Sequence, residues 1–355
     1  MGWVRYPRFR ILYGEEDVSE RVQALYSELT YSDNLDALSD ELTIRLSDPD
    51  RLWLGQWYPE QGEIFSLEFG YDDALSDPVK FEVDSCDSNL IDTFTLKATA
   101  TPISKDLRTR NTRAWEETTL KEVFDFFAKQ HGFELVGEIK EIEYERLTQE
   151  NKPDLEFLSD EAAKHDHIIK FEGLDRMVVY TQEELDSQPP ALTLTPELLL
   201  RSPAPRHRDK LSDVYRGCKV KCQNPDSDEN LVYTIVATNI PSGDFFDVTE
   251  QGIETEQQAM ERGRSALRKK NADKFTVTLP LEGSALYQAG KNFQLKGFGA
   301  AFDKVYQIKK MRHRFNSSGY ISTVEARQIL DLGEVEIESV EVEETEESDA
   351  GTDEP

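Results

Sequence analysis

Apolar and polar residues alternate along the last part of the chain, residues 275–329. Phe275, Val277 and Leu279 are separated by threonines, and later alternating runs are bounded by glycine, asparagine and serine clusters. An alternation of period two that is interrupted by turn residues predicts antiparallel strands joined by hairpins. Such a meander can close into a small barrel, which leaves no unpaired sheet edge. We therefore predict a β-barrel module in this segment.

The same pattern occurs near the start of the chain, in residues 8–100, with one short helix or turn. Within it a glycine and the following strand have a counterpart in the last segment. The shared offsets are those of Gly62, Phe65 and Leu67 and of Gly290, Phe293 and Leu295. An alternating strand precedes each glycine. This internal echo suggests a duplicated barrel, although a pattern this short also arises by chance.

Helical spacing replaces the alternation in the middle of the chain. Thr119 and Glu122 have the spacing of a capping box, and Gly132 is placed to end the helix that follows. A second helix is predicted to begin at Asp154, followed by a β-hairpin. We therefore predict a small α/β insert over residues 105–187.

After a proline-rich connector, which is semi-rigid, strands starting near Ser212 are predicted to begin a second barrel that contains one charged helix. The acidic end of the chain does not carry enough apolar surface to fold alone. The predicted fold is mainly β, with two similar antiparallel β-barrels and a small α/β domain. The predicted divisions are a first barrel (1–104), the insert (105–187), a second barrel with its connector (188–330) and a disordered acidic tail (331–355).

The net charge limits the partners of the chain. It is −29 over 355 residues, and residues 331–355 hold twelve acidic residues without lysine or arginine, so the rest carries −17. A negative field repels nucleic-acid phosphates, which argues against direct sequence-specific binding of nucleic acid. No apolar run has the length of about 18 residues that a membrane helix needs. We expect no membrane insertion and no signal peptide, and synthesis in a bacterial cytoplasm.

No motif indicates catalysis, a cofactor or a metal. The sequence lacks a P-loop, an HExxH motif and an ordered Ser-His-Asp set, and residues 297–302 lack the third glycine of a dinucleotide fingerprint. His165 and His167 are close together, but the other histidines are scattered, so no metal site is predicted. His313 is expected to make a hydrogen bond inside the last barrel. The three cysteines do not form a disulfide framework.

An aromatic group and two basic clusters are candidates for contacts with other proteins. Tryptophan and tyrosine are typical of interface hot spots. Core packing of the aromatic residues and solvated strand faces for the basic ones are the alternative interpretations. The candidate interface residues are Trp53, Trp57, Tyr58, Arg206, Arg208, Lys309 and Arg312.

Several short motifs follow one another in an informative order. They are Asp154-Leu155-Glu156-Phe157-Leu158, Gly290 through Gly299, Tyr306-Gln307-Ile308, His313 and Gly319-Tyr320-Ile321-Ser322-Thr323. This order resembles the phage late control protein D family over roughly residues 8–330. Asp166 stands where relatives commonly have a glycine before the hairpin. The family supplies baseplate hubs of contractile tails and R-type pyocins, and is similar to the T-even phage hub and the N-terminal part of type VI secretion spikes.

The resemblance implies a structural, non-enzymatic hub that forms a homotrimer and joins the six-fold tail tube to the trimeric central spike. The implied partners are the spike, tail-tube or tube-initiator proteins, baseplate wedge proteins and the tape-measure protein, in a virion tail or a released contractile particle. No cofactor is implied. The alternatives are a cell-wall-binding or lytic tail protein and the hub half of a split type VI secretion spike.

Overall fold

The computed structural model describes residues 5–35, 39–60, 62–72, 74–102, 106–210, 214–223, 230–250, 253 and 255–342. These residues form two compact units. The first runs to Asp209 and resumes over Phe275–Ile329, and the second runs from Lys210 to Lys274 and resumes at Leu330. The fold is mainly β, as predicted. Within the described ranges, no helix is long and apolar enough to cross a membrane.

The chain begins with strands whose side chains alternate between buried and exposed. They are β1 (Pro7–Tyr13), β2 (Glu16–Asp17), β3 (Tyr26–Asn34), β4 (Glu41–Ser47), β5 (Ile64–Tyr71), β6 (Ala74–Leu75), β7 (Val79–Ser88) and β8 (Thr93–Thr99), with helix α1 (Ser19–Leu25) before β3. The six longer strands all contribute to one hydrophobic cluster. Leu29, Leu42, Leu67 and Phe81 are fully buried in it.

Over residues 106–187 the insert contains three helices and two small sheets. Its elements are β9 (Arg110–Thr119), α2 (Leu120–His131), β10 (Glu134–Val136), β11 (Glu143–Pro153), α3 (Asp154–Lys164), β12 (His167–Glu172), β13 (Arg176–Thr181) and α4 (Gln182–Ser187). Thr119 and Glu122 form the predicted capping box, and Gly132 ends α2 in the left-handed region with φ 67°. The predicted start of α3 at Asp154 is also confirmed. Asp166 takes φ 64°, so it adopts the conformation for which glycine is favoured.

The remaining elements belong to both units. In chain order they are β14 (Leu192–Leu194), a 3₁₀ turn (Pro196–Leu198), β15 (Arg206–Asp209), β16 (Tyr215–Gln223), β17 (Asn230–Ala237), β18 (Asp244–Thr249), α5 (Glu256–Asn271), β19 (Phe275–Glu282), β20 (Asn292–Leu295), β21 (Val305–Asn316), β22 (Gly319–Gln328) and β23 (Val335–Val342).

The second unit differs from the prediction at both of its ends. β16 and β17, predicted to begin the second barrel, instead form a four-stranded sheet of order β18-β16-β17-β23. Helix α5 joins the core of this sheet through Ala259, Ala266 and Leu267. Residues 335–342 are a strand and not a disordered tail, because Val335 is buried opposite Ala237. The other part of that prediction, residues 343–355, lies outside the described residues.

A six-strand pattern occurs twice in the first unit. The first strand set has the order β3-β4-β8-β7-β5-β1, and the second strand set has the order β15-β19-β22-β21-β20-β14. When the strands of each set are numbered along the chain, both orders read 2-3-6-5-4-1. One pairing differs, since β14 and β20 are parallel whereas β1 and β5 are antiparallel.

The hydrogen-bond registers repeat as well. Phe65 pairs with Phe81, and at the equivalent place Phe293 pairs with Tyr306. A register shift falls between Val83 and Ser85 on β7, and between Ile308 and Lys310 on β21. The pairs 81 and 306, 83 and 308, and 85 and 310 are all 225 positions apart. Bulges are specific structural features, so this coincidence supports the duplication that the echo suggested. Closure of each set into a barrel stays a prediction.

Strand β21 connects the two sets. Its first residues, 305–307, pair with β20, and residues 310–316 pair with β3 of the first set. Phe315 and Tyr320, at the ends of β21 and β22, belong to the first hydrophobic cluster. A second cluster, which includes Leu279, Phe293 and Val324, lies in the second strand set. The two sets therefore form one continuous sheet.

Candidate functional site

The predicted aromatic group divides between core and surface. Trp53 is buried, and its ring stacks on Phe94 with 5.8 Å between ring centroids. The Asp48 carboxylate fixes this loop, because it accepts hydrogen bonds from the backbone N–H groups of residues 52–54. Trp57 is half-buried against the same cluster, and Tyr58 is 53% exposed. Core packing thus accounts for Trp53, and an interface role for Trp57 and Tyr58 stays a prediction.

The two basic clusters occupy different kinds of strand. Arg206 and Arg208 lie on β15, an end strand of the sheet whose four residues are all exposed. Lys309 and Arg312 lie on β21, which has strands on both sides. Arg312 is exposed, and its Nη2 atom is 3.7 Å from Glu325 Oε1. The edge position of Arg206 and Arg208 makes the β15 cluster the more accessible to another chain, and its interface role stays a prediction.

A buried ion cluster joins the insert to both strand sets. The sequence analysis did not predict this cluster. Lys170 on β12 donates through Nζ to Asp33 on β3, and the same Nζ lies 3.6 Å from Asp40 Oδ2. The second oxygen of Asp33 accepts from the backbone N–H of Ala289 at 2.8 Å, in the loop between β19 and β20. Tyr31 donates its hydroxyl to Asp40 at 3.1 Å. Three parts of the first unit therefore meet at this cluster.

Burial controls the protonation of this cluster. Burial raises the pKa of Asp40, the neighbouring Asp33 adds to the shift, and Lys170 opposes it. Burial alone would lower the pKa of Lys170, but the two carboxylates outweigh it and raise the pKa above its usual value. The ammonium group is thus held in its charged form by buried acids. Its partners are structural, because removal of either sign leaves an unpaired buried charge.

A second polar contact fixes the end of the insert to the second strand set. Arg327 Nη2 donates to Gln182 Oε1 at 2.7 Å and to Gln307 Oε1 at 2.8 Å. Asn292 donates to the carbonyl oxygens of Leu185 and Gln188. Helix α4 is thereby attached to β20, β21 and β22 through buried hydrogen bonds, which are costly to leave unmade.

A concavity of about 1370 Å³ opens beside the ion cluster. Its lining includes Asp33, Lys170 and Tyr180, together with the exposed leucines Leu198 and Leu286. Several charged groups in its wall are paired with each other, as Lys170 is with Asp33. The concavity therefore offers shape and apolar contact beside paired charges.

The histidines have structural partners. Nε2 of His131 is 3.0 Å from the buried carboxylate of Asp154, which also accepts from Asn111, Arg113 and Gln149. Burial would raise the pKa of Asp154, but these hydrogen bonds outweigh it and lower the pKa. His165 Nε2 is 2.6 Å from the Tyr144 hydroxyl. Among the described residues, no group of three His, Cys, Asp or Glu is placed to hold a metal ion.

His313 makes the predicted buried hydrogen bonds, but at a different place. Nδ1 is 2.8 Å from the Tyr320 hydroxyl and 3.1 Å from Ser322 Oγ. Its ring packs on Tyr31 and Phe69 of the first strand set, because β21 continues alongside β3. Burial lowers the pKa of His313 to about 4. The residue is therefore a neutral part of the joint between the sets.

The cysteines are poor nucleophiles. All three are free, and burial raises the pKa of Cys86 to about 11 and that of Cys218 to about 12. Burial also raises the pKa of Cys222. Because the thiolate is the reactive form, these thiols are suited to packing.

Comparison with known proteins supports the fold. No family model and no curated protein matches the sequence. The 43 kDa tail protein of prophage MuSo2 from Shewanella oneidensis is similar with a TM-score of 0.72, over 92% of this chain and 99% of that chain at 14% identity. A tail protein from Neisseria meningitidis MC58 is similar with a TM-score of 0.66, over 91% of this chain and 97% of that chain at 12% identity.

A third similar structure comes from a secretion system. The E. coli c3393 protein, a component of the type VI secretion system with structural similarity to T4 bacteriophage tail proteins gp27 and gp5, has a TM-score of 0.56. It covers 86% of this chain and 74% of that chain at 12% identity. At such identities the likeness establishes the fold. The resemblance to tail proteins is thus confirmed at the level of architecture.

Proposed function

We propose that the chain is a structural hub at the baseplate of a contractile tail or injection particle. In this role it is a homotrimer that joins a six-fold tail tube to a trimeric central spike. The observation that supports the proposal most directly is the repeated strand set, with the same strand order and the same bulge in each copy. The fold shared with phage tail proteins is the second support.

The repeat explains how a three-fold assembly could bind a six-fold partner. Three chains that carry two equivalent sets each present six similar modules to a six-fold ring. The features that differ between the sets, above all the insert, occur three times and match a three-fold partner. Cyclic assemblies use one repeated heterologous contact, which closes when the rotation closes. The proposed partners are tube or tube-initiator proteins on one face and the spike on the other, together with baseplate wedge proteins and the tape-measure protein.

The buried polar groups fit a structural role. The ion cluster of Lys170, Asp33 and Asp40 and the contacts of Arg327 hold the insert on the strand sets. Buried contacts that are costly to break suit a rigid part held between tube and spike.

Mass measurement of the purified protein, alone and with a candidate trimeric spike protein, tests the proposal. The expected result is a complex of three copies with one spike trimer. A protein that stays monomeric in the presence of the spike contradicts the hub. Peptidoglycan pull-down and a cell-lysis assay separate the cell-wall alternative, since a hub shows neither binding nor lysis.

A further inference from the structure

Two strand edges in the first unit, on part of β7 and on β15, have no described strand beside them, whereas the equivalent edges of β21 and β3 are paired. Residues 79–82 of β7 pair with β5, and no described strand pairs with that edge over residues 84–88. β15 pairs with β19 on one side, and the described residues provide no strand on its other side. Asp87, Arg206 and Arg208 on these edges are exposed. Exposed strand edges carry unpaired N–H and C=O groups and are templates for pairing.

The equivalent edges are paired with each other inside the chain. β21 is the fifth strand of the second set, as β7 is of the first, and its residues 310–316 pair antiparallel with β3. β3 is the second strand of the first set, as β15 is of the second. Each chain therefore already contains one contact in which the fifth strand of one set meets the second strand of the other.

We infer that the β7 edge of one copy pairs antiparallel with the β15 edge of the next copy, so that one type of strand contact runs around the whole ring. The inference rests on the proposed homotrimer and assigns its interface. The occupant of each edge is thus a second copy of this chain. The contact is heterologous, and three such contacts close a three-fold ring.

The internal contact fixes the register. Residues of β7 lie 225 positions before their counterparts on β21, so Cys86 corresponds to Met311 and Asp87 to Arg312. In the first set, Tyr31 pairs with Leu42, which pairs with Ala98. In the second set, His207 pairs with Val277, which pairs with Ala326. Ala98 and Ala326 face the equivalent residues 83 and 308, so Tyr31 corresponds to His207.

Ser32 therefore corresponds to Arg208 and Asp33 to Asp209. Met311 faces Asp33 and Arg312 faces Ser32 in the internal contact. The contact between copies then places Cys86 opposite Asp209 and Asp87 opposite Arg208.

This register brings opposite charges together. Asp87 is exposed and shares its carboxylate with Lys97 at 2.7 Å on the neighbouring strand, which leaves a face for Arg208. Opposite charges directly across a strand pair stabilise it, and like charges destabilise it. The internal contact has Arg312 opposite a serine at the same place. The contact between copies therefore has a charge pair that the internal contact lacks, and this pair favours the pairing of β7 with β15.

Disulfide formation with the native Cys86 tests the register. We expect Asp209→Cys to give covalent dimers and trimers on a non-reducing gel after copper-catalysed oxidation at alkaline pH, because directly opposed residues have the separation a disulfide needs. Arg206→Cys is the control for register, since it lies three residues away, about 10 Å along the strand. Cys86→Ser in the Asp209→Cys background is the control for the other thiols. A trimer in which Asp209→Cys gives no more product than these controls overturns the inference and leaves the proposed function intact.

Charge reversal gives a second, independent measurement. Arg208→Asp and Asp87→Arg each weaken self-association by about tenfold or more, because each creates a like-charge pair at the contact. The double variant restores association if the two residues face each other. Trimers whose mass distribution is unchanged by both single variants contradict the interface alone. A wild-type chain that stays monomeric with its spike overturns both the interface and the homotrimer.

Discussion

Replacing Lys170 with methionine tests the buried ion cluster. Methionine keeps the apolar stem and removes the ammonium group, so Asp33 and Asp40 remain buried without their cation. Removing one partner of a buried ion pair costs about 3–5 kcal/mol. We expect a decrease of this size in the free energy of unfolding of the first unit. Urea unfolding followed by tryptophan fluorescence measures it, because no tryptophan lies in residues 210–274 or 330–355.

A matched control comes from another lysine in the insert. Lys152 Nζ is 2.7 Å from Asp160, but both side chains are more than 40% exposed. Lys152→Met therefore costs about 0–1 kcal/mol. If Lys170→Met costs no more than Lys152→Met, the cluster does not hold the insert.

The deficit of Lys170→Met also depends on pH. Burial raises the pKa of Asp40, so acidification protonates the Asp40 carboxylate more readily in the folded state, and the deficit becomes smaller as the pH falls. Asp33→Asn and Asp40→Asn in the Lys170→Met background restore much of the lost stability, since no buried charge remains.

Three further predictions concern other parts of the chain. Burial lowers the pKa of His313 from 6.5 to about 4, so the unfolded state binds a proton that the folded state does not bind between these pH values. The free energy of unfolding therefore falls as the pH falls through this window, by up to about 1.4 kcal/mol per pH unit. Urea unfolding at pH 7 and at pH 4.5 measures this decrease, and we expect it to be smaller for His313→Gln than for the wild type. Gly263→Ala destabilises the second unit by about 1–3 kcal/mol despite the higher helix propensity of alanine, because its Cβ would lie 2.3 Å from Ile235 Cδ1. We expect faster amide hydrogen exchange in β17, and unchanged exchange would contradict this packing. A chain that ends at Leu332 lacks β23, so we expect the amides of β17 to exchange faster, whereas a chain that ends at Val342 keeps the slow exchange of the full chain. Equal exchange in both chains would show that β23 does not stabilise this sheet.

Local features were predictable from the sequence. The capping box of Thr119 and Glu122, the end of α2 at Gly132 and the start of α3 at Asp154 depend on residues within a few positions of one another. The echo around Phe65 and Phe293 also points to equivalent strands. These signals are short-range, and the physical rules that govern them act within one turn of helix or one hairpin.

Long-range pairings were not predictable. Lys170 and Asp33 are 137 residues apart, and nothing near either residue indicates its partner. The lysine between Ile169 and Phe171 on an apolar strand is the one local signal of a buried charge. Strand β23 was missed because its glutamates dominate the composition, although Val335 and Ile337 alternate with them. Composition alone does not reveal a strand whose first two apolar residues pack into the core of the sheet.

The strand shared by the two sets has a consequence for how the protein can be divided. A fragment that ends after β8 would lose Phe315 and Tyr320 from its interior and expose the side of β3 that β21 covers. Neither half is then a self-sufficient piece. A chain with one set alone would leave this edge of β3 open unless a second copy supplied the covering strand.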